Sequence, residues 1–275
     1  MAGRLNTVLI IGATSGIGEA FARRFHSLGK KVIITGRNKE KLTTLAQELP
    51  GVEGREFHID DLASIGTNLN DILKEFPSID SVILTAGIQK CYNLFDPSST
   101  SPDDIISEIS TNLTAPSLLV HYLAPHLLKL AQTGTKTTLF LTSSSLAYVP
   151  LSFYPTYVAS KAGVAALTKA LRQQLSFIPG ANENLAIVEI VPPYTDTPLD
   201  KVHREATVAM QGGADKAFPP MPLDEYVDKF FEALELAVGK DGSVKPEIGV
   251  GFGALGVETW RGSFGKIFEG MGLSV

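Results

Sequence analysis

The 275-residue chain has 24 basic and 29 acidic side chains, a formal net charge of −5, and 44% apolar and 19% charged residues. These values fit an ordinary soluble globule with a substantial core, and without a basic block they argue against nucleic-acid binding. The single cysteine, Cys91, excludes an internal disulfide and suits a reducing compartment. No apolar run approaches the roughly 20 residues that span a bilayer. The N-terminal apolar run leads into glycines rather than a cleavage site, so a cytoplasmic protein is expected.

Short apolar strands alternate with amphipathic helices along the chain. Val8 to Ile11 is a β-rich run, followed by helical periodicity over Gly18 to Ser27. Strand and helix patterns then recur at Val32–Thr35 and Lys39–Leu49, and at Arg55–Ile59 and Ile65–Phe76. A fourth strand, Ser81–Leu84, precedes a Pro/Ser loop and one long helical stretch, Asp103 to Leu130. Thr138–Thr142, a helix over Tyr157–Phe177, Ala186–Val191 and a last strand near Glu247–Val250 complete the pattern. Near-continuous apolar strands imply cover on both faces, and the alternation implies right-handed βαβ units. The expected fold is α/β: a single Rossmann-type doubly wound domain over residues 1–275, a parallel sheet with helices on both faces. The Gly-rich tail, 252–275, matches no element by pattern.

Between the first strand and first helix lies Gly12-Ala13-Thr14-Ser15-Gly16-Ile17-Gly18. Glycines there permit a tight turn and close approach of a pyrophosphate to the backbone, and the helix N-terminus offers N–H groups to the anion. The second strand ends in Gly36-Arg37, where an acidic residue would otherwise bind the adenosine ribose. Arginine offers a planar fork to a 2′-phosphate, and Lys39 and Lys41 add positive charge, so NADP(H) is expected over NAD(H). The third strand ends in Asp60-Asp61-Leu62, where a carboxylate, Asp61 rather than Asp60, could accept from an adenine amino group, or either could cap the next helix.

Tyr157 and Lys161 stand one helical turn apart in Tyr-Val-Ala-Ser-Lys. A nearby cation favours phenolate and lowers a phenol's pKa, which turns tyrosine into a useful general acid. With Gly12/Gly16/Gly18, Thr85-Ala86-Gly87, Asn112, Ser143-Ser144, Tyr157/Lys161 and Pro192-Pro193 with Thr197, the chain resembles the short-chain dehydrogenase/reductase family from Val8 to about Gly251. The resemblance is to its short single-domain form, in a branch containing DltE-type oxidoreductases. It implies that Tyr157 protonates a substrate carbonyl and that Lys161 tunes it and binds the nicotinamide ribose. It implies that Ser144, with Ser145 as the alternative, orients the carbonyl oxygen, and that Asn112 holds a relay water. Ala86, Gly87, Pro192 and Thr197 would contact the cofactor. Thr85 replaces the family's usual asparagine and could loosen the central sheet.

The same resemblance makes about Pro193–Pro222 a substrate lid, with Tyr148, Phe153, Tyr154, Pro193 and Tyr194 facing the substrate and Cys91 and Tyr92 as weaker candidates. The expected activity is hydride transfer between NADP(H) and a carbonyl or alcohol of a moderately apolar small molecule. The alternatives are a tailoring reductase acting on an imine or enone, or a non-catalytic NADP(H)-binding relative. A homodimer or homotetramer through the two long helices is implied by resemblance. The five histidines show no ligand spacing, and no metal is expected.

Overall fold

The computed structural model describes residues 4–239, 243–273 and 275. Seven parallel strands form one sheet in the order β3-β2-β1-β4-β5-β6-β7. They are β1 (Thr7–Ile11), β2 (Lys31–Gly36), β3 (Glu53–Glu56), β4 (Ser81–Leu84), β5 (Thr137–Thr142), β6 (Leu185–Val191) and β7 (Glu247–Gly249). Side chains of a strand alternate between faces, and β1 shows both faces covered. Val8 and Ile10 join one core and Leu9 and Ile11 the other.

The first core lies under α1 (Gly16–Ser27), α2 (Lys39–Glu48) and α8 (Leu223–Glu235); α8 is an element the sequence reading did not single out. Phe21 of α1 stacks on Phe230 at 4.4 Å and meets Phe231 edge-on at 5.6 Å. The second core lies under α3 (Ile65–Glu75), α5 (Ala115–Gln132) and α6 (Pro155–Ser176).

Three departures from the sequence pattern have physical causes. The third strand is Glu53–Glu56 rather than Arg55–Ile59, because its pairing with β2 ends at Gly36↔Glu56. Beyond that point Phe57 and Ile59 turn inward as buried residues of a loop. The expected helix over 103–130 is broken into α4 (Pro102–Ile109), a widened turn at Ser110–Thr114, and α5. Pro116 has no N–H to give the Asn112 carbonyl, so the regular ladder cannot continue there, and Ala115 instead donates to Ser110. The tail folds into α9 (Phe252–Trp260) and α10 (Lys266–Gly270) around a second widened turn. Arg261 anchors it by two bonds to Glu247, at 2.9 and 2.8 Å.

Between β6 and α8 the lid carries a short helix, α7 (Arg204–Met210). Its base is closed by backbone bonds from Met221 N to Tyr194 O and from Asp196 N to Met221 O, both 2.8 Å.

Phe21 is fully buried and Phe177 is 78% exposed. Phe21→Ala is expected to cost about 3–5 kcal/mol in urea unfolding, from lost transfer energy and the cavity left behind. Phe177→Ala should stay within about 0.5 kcal/mol.

Candidate active site

The chain runs outward from β1 to β2 in one direction and from β4 to β5 in the other, so a crevice opens at their carboxyl ends. A cleft of about 770 Å³ occupies it, walled by the glycine loop, Gly36-Arg37, the segment from Thr85 to Tyr92, and Thr197 to His203. Gly12 has φ +98°, and with Ala13 it donates to the Thr35 carbonyl, which folds the loop back over β2. Gly18 is pinned more tightly, since a Cβ there would lie 2.1 Å from the Gly12 carbonyl oxygen.

Ser15 stands at the N-cap of α1 but its side chain makes no capping bond. The first turn of α1 therefore points N–H groups into the cleft without a side-chain cap, as an anion site requires. Thr14, Ser15, Gly16, Ile17, Gly18, Ala86, Gly87 and Thr197 all line this cleft. Thr197 sits over the loop, 3.3 Å from where a Gly16 Cβ would be. The substitution at Thr85 does not loosen the sheet. Its hydroxyl lies 3.1 Å from Ile11 O and 3.2 Å from Gly12 O, and its N–H and that of Ala86 also donate to Ile11 O.

At the far end Arg37 pairs with Asp60 at 3.0 Å. Arg37 also borders a hollow with Thr14, Ser15, Asn38, Lys39 and Lys41 at the start of α2. Of the two carboxylates after β3, Asp60 lines the cleft and Asp61 does not. Asp61 opens onto a neighbouring surface hollow, and its carbonyl starts the turn into α3 by accepting from Ser64. Leu62 is half-buried against the core and is likewise absent from the wall. The loop turns there because β3 stops early, which moves the exposed carboxylate one residue back.

Ser144, Tyr157, Lys161 and Asn112 come together behind Gly87, all at most 8% exposed. The Tyr157 phenol is hydrogen-bonded to the Ser144 side chain. Ser144 also accepts from Leu146 N at 3.1 Å, which orients its hydroxyl. Ser145 has a different task, its N–H bonding the buried Pro192 carbonyl at 2.9 Å. Lys161 donates to the Thr142 carbonyl at 2.9 Å, and its Nζ lies 5.6 Å from the Tyr157 ring centre. A Cβ on Gly87 would stand 3.6 Å from that Nζ and 3.1 Å from Asn112 Oδ1, so the cleft wall and the buried set share one boundary.

The electrostatics correct one expectation. Burial raises the Tyr157 phenol above its ordinary value, and the Ser144 hydrogen bond only partly opposes it. Burial also lowers Lys161 to about 8. The ammonium approaches the ring face and bonds the Thr142 carbonyl. The Asn112 side chain is fully engaged within the protein. Its Oδ1 accepts from Ile88 N at 2.9 Å, and Nδ2 gives its two protons to Ile88 O and Ser160 Oγ. The amide clamps the strand extension beyond β4.

The segment between β6 and α8 reaches this group through α7. Tyr154 is buried with its ring centre 6.5 Å from Tyr157 and 5.7 Å from His203, and its hydroxyl bonds Thr207 of α7 at 3.0 Å. Phe153 meets the Tyr154 ring edge-on and is half-buried behind it. Tyr148 is a correction: it points away from the cleft, to both Glu189 carboxylate oxygens at 3.1 Å and against α9 at Gly256. A Cβ at Gly256 would stand 2.9 Å from Tyr148 Cβ, so the tail fills the space the ring was expected to overlook. Pro193 lies by Met221 and Gly251 at the lid base, and Tyr194 bonds Asp200 at 2.6 Å; neither lines the cleft. Sequence reading missed Gln89, Lys90 and His203, which do. Gln89 and Lys90 stand two and three residues beyond Gly87, so continuing the wall three residues past that glycine would have found them. His203 carries no such signal. Cys91 and Tyr92 line the cleft as well. Among the described residues no group of three His, Cys, Asp or Glu could hold a metal, and no helix is long and apolar enough to cross a membrane.

The chain is 31% identical over 233 residues to the uncharacterized oxidoreductase DltE of Bacillus subtilis strain 168, covering 84% of each. It is 29% identical to serine 3-dehydrogenase of Agrobacterium fabrum, over 82% of this chain and 86% of that one. Among solved structures, a short-chain dehydrogenase from Sphingobium yanoikuyae in complex with NADPH superposes with a TM-score of 0.74 at 24% identity, over 96% and 95% of the two chains. One from Burkholderia phymatum in complex with NAD gives 0.76 at 19% identity, over 97% and 96%. These structures share the fold of this chain. The family profile described as short chain dehydrogenase matches residues 6–207, and the chain belongs to the short-chain dehydrogenase/reductase family of oxidoreductases.

Proposed function

We propose that this protein is an NADP(H)-dependent oxidoreductase that transfers hydride between the nicotinamide and a carbonyl or alcohol of a moderately apolar small molecule. The observation that carries this reading is the buried Tyr157 phenol, beside Ser144 and one turn from Lys161, whose ammonium adjoins Gly87 on the wall of the glycine-loop cleft.

Each residue has a task that follows from its surroundings. The raised phenol stays protonated at neutral pH, so Tyr157 is a loaded acid for the reductive direction. Ser144 aligns the carbonyl oxygen with that proton and steadies the charge growing on it. Lys161 remains largely an ammonium at neutral pH and compensates the phenolate once the proton has left. Asn112 keeps the wall from Ile88 onward in register with α6. A bound nicotinamide cofactor supplies or takes the hydride.

The glycine loop and the first turn of α1 suit the pyrophosphate, and Thr197 lies over the same loop. Arg37, with the hollow at the start of α2, supports a 2′-phosphate in place of a bare ribose. The wall near Lys90 and His203 and the lid rim, with Leu199, Val202 and Met210 at least 40% exposed, support an apolar substrate.

Tyr157→Phe is expected to lower carbonyl reduction on the order of a hundred- to ten-thousand-fold. NADPH affinity, read by fluorescence titration, should hold; unchanged turnover would remove the assigned acid. Arg37→Ala should weaken NADPH binding about tenfold or more and leave NADH nearly unaffected. Equal weakening of both cofactors rejects the phosphate contact.

Lys161 gives a stability prediction. Its folded-state pKa of about 8 lies below the ordinary 10.5, so the unfolded chain binds more protons between these values. Stability of the protein without cofactor therefore rises with pH across that window, by about 3 kcal/mol at most from this group. The rise should disappear in Lys161→Met, measured by urea unfolding at the two ends of the window.

A further inference from the structure

Glu108 is a carboxylate with no exposed surface, on α4, one turn before Asn112. The two residues grip the same stretch of wall. Asn112 holds Ile88, and Glu108 Oε1 accepts from Lys90 N at 2.8 Å. The other carboxylate oxygen, Oε2, accepts from the buried Tyr92 hydroxyl at 3.2 Å. That hydroxyl is also hydrogen-bonded to Thr156, the residue just before Tyr157 in the first turn of α6. Tyr154, the N-cap of α6, makes no capping bond, so this sideways link through Thr156 is a tie that the helix start does possess.

A buried carboxylate is costly unless its oxygens are satisfied. Both are, and both partners belong to the segment that walls the cleft. We propose that Glu108 is a positioning residue for Tyr157: through Tyr92 and Thr156 it fixes the helix turn that carries the phenol. The inference rests on the assignment of Tyr157 as the acid.

The charged and titratable groups around the pair are few. On the wall segment they are Lys90, whose ammonium is held by Asp104, the Cys91 thiol and Tyr92; on α4 they are Asp103, Asp104 and Glu108 itself. On α6 they are Tyr154, Tyr157 and Lys161. Burial pushes the Glu108 carboxyl up, while the Lys90 N–H, the Tyr92 hydroxyl and the Lys90 charge push it down. Glu108 and Tyr154 both act on the phenol of Tyr157 in the upward direction.

The test is Glu108→Gln, which keeps the shape and an acceptor for Lys90 N but removes the charge. With tyrosine labelled by carbon-13 at Cζ and oxidised NADP bound, the Tyr157 signal, assigned by its loss in Tyr157→Phe, is followed against pH. The phenol should titrate at lower pH in Glu108→Gln by about half a unit or more, since a like charge has been removed. Thr156→Val cuts the tie but leaves the charge. It should lower kcat for a probe aldehyde, para-nitrobenzaldehyde, about tenfold, with NADPH affinity and the Tyr157 titration both unmoved. Identical titration in wild type and Glu108→Gln, or no titration in either, overturns the inference. Wild-type kcat in Thr156→Val overturns the positioning role. Turnover that survives Tyr157→Phe instead overturns the assignment of the acid, a separate outcome from the other two.

Discussion

The Lys161 ammonium lies out of reach of solvent and leans on the Thr142 carbonyl at the end of β5. Holding a cation there costs free energy, and the arrangement around it exists to tolerate that cost. The sheet brings the ends of β4 and β5 side by side, so the Thr142 carbonyl and Gly87 stand on either side of the same small space. The absence of a side chain at Gly87 lets the ammonium come near the cleft wall. The same exclusion of water that loosens the lysine's grip on its proton tightens the tyrosine's. Two groups with opposite responses to burial therefore sit next to each other: drying the site moves the lysine's proton affinity toward neutrality and the tyrosine's away from it.

Most of the sheet could be read from the chain because parallel strands buried on both faces write themselves as continuous apolar runs. Val82-Ile83-Leu84 and Leu139-Phe140-Leu141 needed no tertiary information. β3 resisted because it is an edge: its apolar residues, Phe57 and Ile59, belong to the loop after it, while the strand itself is Glu-Gly-Arg-Glu. The break in the helix over 103–130 was written in Pro116, yet a proline near a helix start looks the same whether it begins a helix or interrupts one. The tail was silent for another reason. Its apolar residues pack against α6 and β7 on one side and face outward on the other, with Phe252, Leu255 and Phe264 about half or more exposed, so no clean periodicity results.

The residues proposed to carry the chemistry could be picked out because their spacing is set by one helix turn and one strand end. The substrate-facing residues were not. Tyr148 follows the serine turn closely in sequence, but the short turn at Ser145–Ala147 rotates it to the opposite side, toward Glu189 and Lys169. Glu108 carried no signal at all in sequence, because an acid in the first half of an amphipathic helix is ordinarily a solvated residue. Its burial becomes visible only when the wall from Ile88 to Tyr92 is laid across the helix.

The base of the lid has an evolutionary consequence. Its ends meet through main-chain bonds between Tyr194, Asp196 and Met221, which any sequence can make. Side chains between those ends touch the architecture below at named points, Thr207 on Tyr154 and His203 on Gln89, but the closure of the base does not depend on them. Under the proposed function, substitutions elsewhere in the segment would alter selectivity while the sheet, the phenol and the ammonium keep their places.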